Sequence, residues 1–121
     1  MQNIASYKDL LVWKKAVILA TAVYALTEKF PREETYGLTS QMRRCAVSIP
    51  SNIAEGSIRG SKKDFCHFLR IASGSVAELE TQVEISKNLP FGKNFQYDEI
   101  INSAAEVNKM IHGLIGKLKI Q

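Results

Sequence analysis

Four stretches of this chain repeat apolar residues at alternating spacings of three and four, and none alternates apolar and polar residues at every second position. That period, about 3.6 residues per turn, belongs to helices with a buried face, so an all-α fold is expected. The first segment runs from Tyr7 to Lys29. Ser6 and Asp9 stand at its start in the spacing of a capping box, and Pro31 ends it. Leu10, Trp13, Val17, Ala20, Tyr24 and Thr27 fall on one face. Leu11, Ile18 and Leu26 lie off that face, so the helix is apolar on more than one side and should make contacts on both.

The second segment runs from Leu38 to Ser57, with a stripe of Leu38, Met42, Cys45, Ile49 and Ile53. Pro50 removes one backbone hydrogen bond inside it and crowds the carbonyl of Ala46, which predicts a kink. The third runs from Lys62 to Asn88, with Ser61 and Asp64 repeating the capping spacing at its start, on a seam of Phe65, Leu69, Ala72, Val76, Leu79 and Val83. The fourth runs from Tyr97 to Lys119, on Tyr97, Ile101, Ala104, Asn108, Ile111, Ile115 and Leu118. Asp98 and Glu99 in its first turn and Lys117 and Lys119 near its last suit the helix dipole. Each segment would be roughly 30 to 40 Å long. Similar lengths and short connections favour an antiparallel up-down-up-down four-helix bundle. At 121 residues, one domain spanning 1–121 is expected.

Catalysis has little to stand on. His67 and His112 lie in different helices, and neither belongs to a Glu-x-x-His pair, so no metal is expected. Gly56, Gly60, Ser61, Lys62 and Lys63 have the composition of a phosphate loop. The spacing is not that of G-x-x-x-x-G-K-[ST], and a helix precedes them. No cofactor is implied, and the chain is read as a non-enzyme. Lys14 and Lys15 before the apolar run from Ala16 to Leu26 resemble a signal peptide, but the run is too short to cross a membrane and continues into a helix. Cys45 and Cys66 sit among apolar helical residues and read as reduced, buried thiols, which points to the cytoplasm.

Charge supplies the functional clue. The net charge is a mild +4, but between Arg43 and Arg70 there are six basic and two acidic residues. Arg43, Arg59, Lys62, Lys63 and Arg70 are the candidate contacts for nucleic-acid phosphates, helped by free backbone N–H groups at the start of the third helix. No aromatic residue falls between Arg59 and Asp64, so base stacking is not indicated there. A second set, Gln41, Arg44, Ser48, Asn52 and Glu55, forms a polar strip along the second helix. It is read mainly as a structural network reaching Glu78 or Gln82, and otherwise as a ligand site.

The run from Tyr36 to Gly56, YGLTSQMRRCAVSIPSNIAEG, closely resembles the central signature of the 23S rRNA-intervening sequence proteins, also called four helix bundle proteins. Asp9-Leu10-x-x-Trp13 and the stretch from Phe68 to Gln82 agree with it, and Cys45 stands where alanine is usual. The resemblance implies a bundle that assembles into a barrel-like homopentamer. It extends to the accessory protein of diversity-generating retroelements, a basic pentamer that binds nucleic acid and reverse transcriptase. The expected function is therefore a homo-oligomeric, non-catalytic accessory protein that binds RNA or DNA through backbone phosphates. The alternative is a scaffold whose apolar helix faces bind a partner protein.

Overall fold

The structure, a computed structural model, describes residues 6–119. The ends of the expected 1–121 domain, residues 1–5 and 120–121, lie outside them. Four helices dominate: α1 (Leu11–Thr27), α2 (Leu38–Ser57), α3 (Lys62–Asn88) and α4 (Asp98–Lys119). Short 3₁₀ turns cover Tyr7–Asp9, Arg32–Glu34 and Pro90–Gly92, and no strand occurs among the described residues. The second and third segments match the sequence reading end to end. The first is shorter than expected. Ser6 accepts from Lys8 N–H at 3.1 Å and caps only the 3₁₀ turn. Leu10 is extended, and α1 starts after it.

The other caps explain where helices begin. Ser61 Oγ accepts from Asp64 N–H at 3.1 Å, as its position suggests. At α2 the side chain of Gly37 can offer nothing, and Glu34 Oε1 accepts from Leu38 N–H at 3.0 Å. Gly60 carries the turn into α3 with φ +95°, a conformation strained for other residues. Pro50 is buried inside α2, which stays helical on both sides of it.

The core draws on all four helices. Each helix packs on two others: α1 and α3 both contact α2 and α4, and the α2–α3 contact is the broadest. Gly56 makes that approach possible, because a Cβ there would lie 2.6 Å from Phe68 Cβ. The ends also meet in pairs. Arg43 near the start of α2 reaches Thr27 at the end of α1. Lys62 and Lys63 at the start of α3 share a hollow with Leu118 and Lys119 at the end of α4. Phe30 stacks against Phe95 and meets Phe91 edge-on, joining the α1–α2 and α3–α4 connections.

Within the helices, the α2 stripe is buried except for half-buried Leu38, and the α3 seam except for half-buried Phe65. For α1 the face read from sequence is inward only in part: Ala20 and Thr27 are buried, and Leu10 and Trp13 are half-buried against the core. The inward residues are Val12, Ala16, Leu19, Val23 and Leu26, while Val17 and Tyr24 are exposed. The buried side is therefore centred between the two sets and takes in residues of both. A helix apolar at nearly every position gives its phase no polar marker to fix it. Leu11 and Ile18, each 58% exposed, keep an apolar outer surface on α1. In α4 the expected stripe is buried at Tyr97, Ala104, Ile111 and Ile115, but Ile101 is exposed, and Ile100 and Val107 are buried beside it. No helix among the described residues is long and apolar enough to cross a membrane.

Candidate nucleic-acid interface

The five candidate phosphate contacts do not share one surface. Arg43 faces α1. Its Nε donates to Thr27 Oγ1 at 2.8 Å, its Nη2 reaches Glu28 Oε1 at 3.3 Å, and its guanidinium lies 4.5 Å from the centre of the Tyr24 ring. Three partners hold the group along the α1–α2 seam, so a ligand would have to displace them. Arg59 belongs to the α2–α3 turn and is also engaged. Its Nη2 and Nε donate to Glu55 Oε2 at 2.8 and 3.2 Å, and its plane covers the Phe68 ring.

Lys62, Lys63 and Arg70 come together. They line a hollow of about 290 Å³ between the start of α3 and the end of α4, with Cys66, Leu118 and Lys119. Their arrangement follows from helix geometry, because positions 62, 63, 66 and 70 lie on one side of α3. The lining holds four cations and no carboxylate. None of the four forms an ion pair among the described residues. The first turn of α3 adds backbone N–H groups, though Ser61 already accepts one of them. The sequence reading missed Lys119 because it lies 49 positions or more from the other three. Its basic position in the last turn of α4 was the available signal.

The polar strip of α2 forms a separate groove against α3, lined by Gln41, Arg44, Cys45, Ser48, Asn52, Ile71, Ser75 and Glu78. Ser48 Oγ donates to Ser75 Oγ at 2.7 Å, and the Cys45 thiol donates to the Ser75 carbonyl at 3.0 Å. Burial first, and then the nearby Glu78 carboxylate, push the Cys45 thiol up to about 12, so it stays protonated at neutral pH. Asn52 turns to its own helix and donates to Ser48 O at 2.7 Å. Glu55 pairs with Arg59 at the surface, not across the bundle. Gln82 is buried, and its Oε1 has no partner among the described residues. Ser75 and Ile71 were not read from sequence as part of this groove; their place depends on which side of α3 meets α2.

Both cysteines are free and buried. No cluster of three or more His, Cys, Asp or Glu side chains that could hold a metal occurs among the described residues.

The sequence profile of the 23S rRNA-intervening sequence proteins matches residues 8–113. The chain belongs to this family. No curated protein matches it. Among solved structures it is similar to a protein of unknown function from the S23 ribosomal protein family of Bacteroides thetaiotaomicron, with 26% identity and a TM-score of 0.76. That likeness covers 87% of this chain and 98% of the other. The family match takes in both the cationic hollow's α3 residues and the polar groove, and stops before Leu118 and Lys119.

Proposed function

We propose that this member of the 23S rRNA-intervening sequence protein family is a homo-oligomeric accessory protein that binds RNA or DNA by its backbone phosphates, without catalysis. The carrying observation is the hollow of Lys62, Lys63, Arg70 and Lys119, whose lining has no carboxylate to neutralise it. Phosphate contacts of this kind give affinity that depends on salt and little on sequence. The meeting of helix ends supports an up-down-up-down arrangement, which puts the start of α3 and the end of α4 at one end of the bundle.

The exposed apolar surface of α1, with Leu11 and Ile18 outward, supports self-association. The number proposed is five, as the resemblance to pentameric relatives implies. A ring would repeat the cationic hollow and raise avidity for any strand that reaches several copies. The kinship with the retroelement accessory protein, and with it a reverse transcriptase as partner, belongs to the same proposal. The same α1 surface favours the second reading, a scaffold for a partner protein.

The test is fluorescence anisotropy with labelled RNA and DNA over a range of salt. Lys62→Glu with Lys63→Glu should weaken binding sharply at low salt while the helical circular dichroism is unchanged. Removing one phosphate-binding cation should flatten the salt slope by about 0.7 to 0.9. No binding at low salt, or binding indifferent to the double charge reversal, would leave the scaffold as the better reading.

A further inference from the structure

The groove between α2 and α3 has a different chemistry from the cationic hollow. It encloses about 480 Å³, within the usual range of small-molecule sites. Its floor is satisfied internally, by the Ser48–Ser75 hydroxyl pair and by the Cys45 thiol on the Ser75 carbonyl. Its rim is not. Arg44 on α2 and Glu78 on α3 stand on opposite walls, and neither forms an ion pair among the described residues. Ile71 adds an apolar wall that is 40% exposed.

A ligand for this rim must offer acceptors to a guanidinium and donors to a carboxylate, and it needs an apolar face for Ile71. Among nucleobases, guanine meets all three demands. Its N1–H and 2-amino group are adjacent donors, matched to the two oxygens of one carboxylate. Its O6 and N7 are adjacent acceptors, the pair that arginine contacts bidentately. Adenine has no such pair of adjacent donors on its Watson–Crick edge.

We infer that the α2–α3 groove binds a guanine base, with Glu78 accepting from N1–H and the 2-amino group and Arg44 donating to O6 and N7. The base comes either from a free guanine nucleotide or from a guanosine in a single strand, whose unstacked edges are open to side chains. The site does not depend on the cationic hollow.

Calorimetric titration of the full chain with GMP, AMP and IMP tests the inference. GMP should bind about tenfold or more tightly than AMP, and IMP, which lacks the 2-amino donor, should fall between. Arg44→Gln and Glu78→Gln should each weaken GMP by about tenfold or more. Both side chains are exposed, so circular dichroism and melting should be unchanged. Lys62→Glu with Lys63→Glu should leave GMP affinity intact, which separates failure of this inference from failure of the phosphate reading. Competition with GMP by a uridine oligomer carrying one guanosine would assign the base to a strand. GMP binding without such competition would assign it to the free nucleotide. Absence of saturable GMP binding at millimolar concentration, equal affinity for GMP and AMP, or indifference to both groove substitutions would overturn it.

Discussion

Two glycines with opposite surroundings show how much one Cβ matters in this bundle. At Gly56 an added methyl meets Phe68 Cβ at 2.6 Å, where α2 and α3 are closest. Gly56→Ala should cost about 1–3 kcal/mol through overpacking. At Gly113 an added methyl meets nothing within 4 Å. Gly113→Ala should instead stabilise the folded chain by up to about 1 kcal/mol through helix propensity. Thermal melts of the two variants should move in opposite directions. Cys45 gives a residue-level test by pH. Its pKa is raised in the folded chain, so the neutral thiol is the native form, and its contribution to stability is complete below the unfolded thiol's range. That contribution is lost as pH rises toward about 12. Native Cys45 should therefore react with iodoacetamide at pH 8 far more slowly than in urea, by about a hundredfold or more. Mass spectrometry of the modified peptide measures the ratio.

At the scale of elements, the sequence makes helix type and number readable, and α2 and α3 fully so. Their polar residues, Arg44 and Glu55 on α2 and Glu80 and Glu84 on α3, mark the outward side and leave one phase for the apolar stripe. α1 has Lys14 and Lys15 in its first turns and no charged residue from Ala16 to Thr27. Periodicity alone then admits two inward faces. Substitution can show which one is buried: Leu19→Ala should cost about 2–5 kcal/mol, whereas Ile18→Ala should change the chain's stability by less than about 1 kcal/mol. The cationic site was partly legible for a related reason. Lys62, Lys63 and Arg70 share a helix, so their spacing brings them together. The engagement of Arg43 was hidden because Tyr24 and Thr27 are contributed by another helix. The pairing of Glu55 was within reach, since Arg59 follows it by four residues. As an exposed pair it is worth under about 1 kcal/mol, so Glu55→Ala should barely move the melting temperature.

For the molecule as a whole, the proposed oligomer and the proposed phosphate surface are separable by experiment. Ile18→Glu places a charge on the exposed side of α1 without entering the core. Light scattering should show a lower mass for this variant, while a single hollow of four cations is retained. Its affinity for nucleic acid should then fall because avidity is lost, with no charge removed from the hollow. Unchanged mass would count against the α1 surface as the contact between copies. The broad α2–α3 contact has a consequence for the route to the folded state. These helices are joined by only residues 58–61, so the largest helix pair forms at small loop-closure cost. Contact between α1 and α4 must bring distant parts of the chain together and is the slower event. Core substitutions such as Ile49→Val in α2 should therefore slow refolding, and Val23→Ala in α1 should mainly hasten unfolding. A nucleus built on that pair would contain Arg44, Ser48, Ser75 and Glu78, and slowed refolding on substitution there would mean that the groove takes shape before the chain has closed.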